Sequence, residues 1–66
     1  MTEDEITELA ARGVDHANYA TKLYVRAGEL WLSNPSKAKL LREIADDEMD
    51  TAYSIKKVLD IVGEVG

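Results

Sequence analysis

Apolar residues in the first half of the chain recur at intervals that alternate between four and three. This seven-residue period is typical of an α-helix that packs along a narrow seam against a neighbouring helix. The seam consists of Ile6, Ala10, Gly13, Ala17, Ala20, Tyr24, Ala27 and Trp31. Most of these residues are small, which favours close approach of a partner backbone. Thr2 and Glu5 have the spacing of a capping box, so a helix is predicted over about residues 3–32.

The second half of the chain repeats this rhythm. Its seam consists of Ala38, Leu41, Ala45, Glu48, Ala52, Ile55, Leu59 and Val62. Pro35 is the only proline and suits the first turn of a helix, and Asn34 before it can act as the cap. A turn is therefore predicted at residues 33–35 and a second helix over about residues 36–62, with Gly63 as its stop signal.

Two long helices joined by a short turn must pack antiparallel. The sequence thus predicts an all-α helical hairpin forming a single domain over residues 1–66. Each apolar stripe is wider than one neighbour can cover, because leucines, Tyr24 and Trp31 extend it. Two hairpins that dimerise into a four-helix bundle would cover both stripes. Trp31, near the turn, is expected to plug the core.

The composition narrows the possible partners. A chain of 66 residues buries only about 60% of its unfolded surface, so its core is marginal, and the usual supports are disulfides, a metal or oligomerisation. The chain contains no cysteine, which excludes disulfides and thiolate metal sites. Its 13 acidic and 8 basic residues give a net charge of −5, which disfavours nucleic acid. No apolar run is long enough for a membrane, and the acidic N-terminus lacks a signal-peptide pattern, so a cytoplasmic location is expected.

Two polar residues interrupt the apolar pattern. His16 shares a seven-residue column with Leu9, Leu23 and Leu30, and Glu48 lies in the second seam. In the predicted hairpin, opposite positions have numbers that sum to about 67, which places His16 and Glu48 within about one helical turn of each other. Two copies in a symmetric bundle would supply two imidazoles and two carboxylates, a set that suits iron, manganese or zinc. The alternative is a satisfied polar pair that fixes helix register.

A cluster of acidic residues lies on the second helix. It consists of Glu43, Asp46, Asp47 and Asp50. Like charges four residues apart on a helix cost about 0.2–0.5 kcal/mol per pair, and Lys39 and Arg42 offset part of that cost. One interpretation is a docking surface for a basic protein partner. The other is a solvated helix face.

The segment LREIADDEMDTA, from Leu41 to Ala52, resembles the second helix of a rubrerythrin-type ferritin-like hairpin. In that family a metal-binding glutamate is followed three residues later by histidine. Glu48 matches the glutamate, whereas Thr51 stands at the position of the histidine. Ala17 stands near the position of the family's first-helix glutamate. The resemblance implies a helical hairpin, with a metal motif that is incomplete in this chain.

Two shorter segments resemble the paired acidic motifs of MazG-type all-α nucleotide pyrophosphohydrolases. They are Ala27-Gly28-Glu29-Leu30 and Glu43-Ile44-Ala45-Asp46. The first motif needs two acids three residues apart, and Arg26 occupies the position of one of them. Because Glu29, Glu43 and Asp46 avoid the apolar seams, a magnesium–nucleotide site there would lie outside the bundle.

Nucleophilic catalysis is not indicated, because the single histidine has no serine and acid at matching helical spacing, and there is no glycine-rich phosphate loop. The sequence therefore favours a small homo-oligomeric helical protein, without a cofactor, that acts by protein–protein interaction as an adaptor, assembly factor or inhibitor. The alternative is a ferritin-like metal-binding protein whose bundle core holds iron, manganese or zinc at His16 and Glu48.

Overall fold

Two long helices make up the described part of the chain. The computed structural model describes residues 1–65, and the side chains of residues 1–63. Helix α1 spans Glu3–Leu30 and helix α2 spans Pro35–Val65. The two helices pack against each other and are joined by a short connection, so they run antiparallel. The predicted all-α helical hairpin is confirmed.

The start of α1 is fixed by the predicted capping box. The backbone N–H of Thr2 donates to Oε1 of Glu5 at 3.0 Å, and the backbone N–H of Glu5 donates to Oγ1 of Thr2 at 3.2 Å. The hydrogen bond from the Thr2 backbone lowers the pKa of Glu5 below its usual value. Glu3 and Asp4 add negative charge to the first turn, where the helix dipole favours it.

The start of α2 is fixed by Asn34 and Pro35, as predicted. The side-chain Oδ1 of Asn34 accepts the backbone N–H of Lys37 at 3.2 Å, and its carbonyl accepts the N–H of Ala38 at 3.0 Å. Pro35 occupies the first helical position, where its missing N–H would have had no partner within the helix.

The turn lies earlier than predicted. Helix α1 ends at Leu30, and the connection occupies residues 31–34 instead of 33–35. Trp31 caps α1, with its N–H directed at the carbonyl of Gly28 at 3.5 Å, and 55% of its surface is exposed. In the single hairpin, Trp31 therefore does not plug the core between α1 and α2. The residue lies at the very end of the hairpin, where α2 can cover only one side of its ring.

The C-terminal end of α2 also differs from the prediction. The helix continues through Gly63 to Val65. No glycine in residues 1–65 has a positive φ, so Gly63 does not adopt the left-handed conformation with which glycine ends a helix. Nothing lies within 4 Å of a Cβ built at Gly63, so a side chain would fit at this position of the helix.

The core is a line of alanines between the helices. The buried apolar residues are Ala20, Ala27, Ala38 and Ala45. All four belong to the predicted seams, and every other seam residue except Trp31 is half-buried. A Cβ built at Gly13 would lie 3.1 Å from Cγ2 of Ile55, so the helices approach closely there. No large side chain among the described residues is fully buried. The small seam residues bring the helices together but enclose little apolar volume.

The hairpin is a single layer of helices with extents of 50 × 16 × 11 Å. Because it has one layer, both of its broad faces are open. The leucine face carries Leu9, His16, Leu23, Leu30, Leu41, Ile44, Glu48, Ile55 and Val58. The groove face carries Ala10, Val14, Ala17, Tyr24, Arg42, Met49 and Tyr53, and Ile55, between the helices, lines depressions on both faces.

Candidate functional site

The structure brings His16 and Glu48 into direct contact across the two helices. Nδ1 of the imidazole and Oε2 of the carboxylate lie within hydrogen-bonding distance. The register of the antiparallel seams creates this contact, since each residue lies near the middle of its helix. The two residues that the sequence singled out as interruptions of the apolar pattern therefore form one pair.

The pair is only half-buried in the single hairpin. The side chain of His16 is 38% exposed and that of Glu48 is 28% exposed. Ion pairs that water can reach contribute about 0–1 kcal/mol to stability. The sequence placed this pair inside a bundle, and in one chain it lies on an open face. Its energetic importance thus depends on whether something covers the leucine face.

Apolar residues flank the pair symmetrically along both helices. On α1, Leu9 and Leu23 lie seven residues before and after His16. On α2, Leu41 and Ile55 lie seven residues before and after Glu48. All four of these apolar side chains are half-buried. The leucine face is thus polar at its centre and apolar towards both ends.

A complete set of metal ligands is not present within one hairpin. Among residues 1–65, no three or more histidine, cysteine, aspartate and glutamate side chains are grouped so that they could hold a metal ion. The hydroxyl of Thr51, at the position of the ferritin-like histidine, donates to the carbonyl of Asp47 on its own helix at 3.2 Å. Ala17 lines the groove face, on the other side of the hairpin from His16. One chain therefore supplies two ligands, from His16 and Glu48.

The four acidic residues predicted as a docking surface are all exposed on α2. One of them has a partner that the sequence did not indicate: Asp46 accepts a hydrogen bond from the hydroxyl of Tyr24 on α1. This hydrogen bond raises the pKa of Tyr24 above its usual value. Glu43, Asp47 and Asp50 remain a predicted docking surface for a basic partner. The residue numbers of Tyr24 and Asp46 sum to about 70, close to the sum of about 67 expected for opposite positions in the hairpin. Nothing else in the sequence indicated this contact.

The groove face holds the largest apolar depression described. It has a volume of about 530 Å³. Its lining includes the small residues Ala10, Gly13 and Ala17 on α1, and Met49 and Tyr53 on α2. The sequence showed the small residues but not the groove, because the groove depends on both helices lying side by side.

The chain matches no protein-family model, no curated protein and no solved structure. The resemblances to rubrerythrin-type and MazG-type proteins therefore stay predictions from short segments. The acids of the MazG-type resemblance, Glu29, Glu43 and Asp46, are all exposed. Within residues 1–65, neither helix has an apolar stretch that could cross a membrane.

Proposed function

We propose that this protein is a homo-oligomeric helical module that acts by protein–protein interaction, and that two hairpins pair into a four-helix bundle. The observation that carries this proposal is the all-alanine core. A stable helical domain buries its large apolar side chains, whereas here Ile44 is 46% exposed and Val58 is 43% exposed. We infer that these large apolar side chains are buried against a second chain, which completes the core.

The dimensions of the hairpin support pairing through a broad face. A face of 50 by 16 Å has a projected area of about 800 Å². Stable protein interfaces bury about 800 Å² on each partner. One broad face therefore has the area that a stable dimer needs. Covering it would also bury the half-exposed leucines and isoleucines, each of which would gain about half of the roughly 1.5–3 kcal/mol that full burial of such a side chain provides.

The bundle leaves the outer surface of α2 available for other proteins. Glu43, Asp47 and Asp50 are exposed there and carry negative charge. We assign this surface to a basic protein partner, for which the dimer would act as an adaptor, assembly factor or inhibitor. The proposed compartment, the cytoplasm, rests on the sequence alone.

A second candidate function is metal binding in the bundle core, as in ferritin-like proteins. The direct contact between His16 and Glu48 favours it, because an imidazole and a carboxylate that meet at one point are a common half of a transition-metal site. Iron, manganese and zinc all accept this combination of ligands.

Sedimentation equilibrium tests the proposed assembly. At micromolar concentration we expect a mass of about twice the 7.3 kDa of one chain, with dissociation on dilution. Mass action makes a dimer concentration-dependent, so dilution should also lower the thermal midpoint. A folded species that keeps the mass of one chain at every concentration would refute the proposed module.

A further inference from the structure

The leucine face has a pattern that a second copy of the same face would complement. Consider a two-fold axis that lies in the plane between the two faces and crosses the helices at right angles above the His16–Glu48 pair. This axis places each end of one hairpin over the opposite end of its partner. Leu9 of one copy would then lie at the level of Leu23 of the other, and Leu41 at the level of Ile55, since each is seven residues from the centre. The apolar flanks would meet apolar flanks, and the central polar pair would meet its own copy.

Covering the centre of this face changes the environment of His16 and Glu48. Both side chains are partly exposed to water in the hairpin, and a second copy would remove that water. A buried carboxylate needs a compensating partner. Two carboxylates and two neutral imidazoles around one divalent cation are electrically balanced. Two imidazolium–carboxylate pairs without a cation are also balanced, and they are the rival arrangement.

The observed contact shows that the ligand atoms can reach one point. Two ligands of the same ion are about 3 Å apart, because each lies about 2 Å from the ion. Nδ1 of His16 and Oε2 of Glu48 are already close neighbours, so only a small separation would admit an ion between them. One chain supplies two ligands, and a tetrahedral site needs four. The site is thus incomplete without the second copy.

We propose that two copies pack through the leucine face, and that His16 and Glu48 of both copies bind one divalent transition-metal ion at the two-fold axis. The proposal rests on the dimer and on the metal-binding core proposed above, and it adds the contact face, the stoichiometry of one ion for two chains, and the effect of the ion on dimerisation. Because the ion binds only to the assembled pair of chains, metal binding strengthens dimerisation. Nitrogen and oxygen ligands without thiolate suit zinc, manganese and iron.

The test measures dimerisation by sedimentation equilibrium in a chelator and over a series of free zinc concentrations. Zinc is the probe because it binds such sites more tightly than manganese or iron. If one ion binds only the dimer, the association constant rises about 100-fold when free zinc is about 100 times its dissociation constant. We expect one zinc ion for two chains, counted by elemental analysis of the separated dimer.

Two matched variants locate the site. Glu48→Gln removes one ligand charge and should abolish the zinc response. Asp60→Asn removes the same charge from an exposed position of the same helix, away from the proposed interaction surfaces, and should keep the response. Cobalt substituted for zinc should give the visible absorption of a four-coordinate site in the parent and in Asp60→Asn, but not in Glu48→Gln.

The outcomes separate this inference from the proposed module. A dimer whose association constant ignores zinc would overturn the metal site and leave the module intact, with two imidazolium–carboxylate pairs at its centre. One zinc ion for each chain, or an undiminished response in Glu48→Gln, would also overturn it. A chain that stays monomeric with and without zinc would overturn both proposals.

Discussion

Replacing His16 with leucine is expected to lower the free energy of unfolding by up to about 3–5 kcal/mol, measured by urea denaturation in the presence of a chelator. Leucine removes the partner of Glu48, and a second copy of the chain leaves that carboxylate covered and unpaired. In an isolated hairpin, where His16 is 38% exposed, the same change would cost only about 0–1 kcal/mol. The size of the loss therefore reports whether the leucine face is covered.

Replacing His16 and Glu48 together with leucine should restore the stability of the parent or exceed it. The double variant leaves no buried charge and adds two apolar side chains to the interface. The exposed ion pair of Arg12 and Glu8 is the matched control, since its atoms are 2.8 Å apart and both side chains are 65% exposed. Arg12→Leu should change stability by no more than about 0.5 kcal/mol. A double variant that is as unstable as His16→Leu would contradict this account of the pair.

Replacing Ala20 with leucine is expected to lower the free energy of unfolding by about 1–3 kcal/mol. Ala20 is completely buried on the line where the two helices approach each other. A leucine there must either push the helices apart or adopt a strained rotamer. Wider separation would also misalign the faces that we propose to form the bundle, so association measured by sedimentation should weaken.

Ala11→Leu is the matched control for this overpacking. Ala11 lies on the same helix but is exposed, so the same added atoms meet solvent. Surface substitutions of this kind change stability by about 0.5 kcal/mol or less. Equal stabilities of Ala20→Leu and Ala11→Leu would show that the line of buried alanines between the helices does not determine how far apart the helices lie.

The sequence predicted those parts of the fold that depend on a few neighbouring residues or on regular spacing. The capping box at Thr2 and Glu5 and the cap at Asn34 use hydrogen bonds that span three residues, and both form as expected. The seams were predictable because a seven-residue period fixes which side of a helix faces its neighbour. The end of α2 could not be predicted in this way, because a glycine such as Gly63 ends a helix only if its backbone takes a positive φ, and no glycine of residues 1–65 does so.

The sequence predicted which residues of the candidate site lie near each other along the two helices. Counting from the turn placed His16 and Glu48 within about one helical turn, and the structure brings them into contact. Counting did not reveal the bond between Tyr24 and Asp46, because Asp46 belonged to an acidic cluster that suggested a solvated face. Trp31 was misplaced because its spacing continues the seam beyond the point where the helix ends. Periodicity identifies a face but does not indicate whether a second element covers it.

Small-angle X-ray scattering tests the face-to-face bundle most directly, because it measures mass and length in one experiment. The hairpin is 50 Å long, and a partner packed on its broad face adds thickness rather than length. We expect a particle of twice the 7.3 kDa chain mass whose length stays close to that of one hairpin. A particle with the mass of one chain, or a dimer about twice as long as the hairpin, would contradict the bundle.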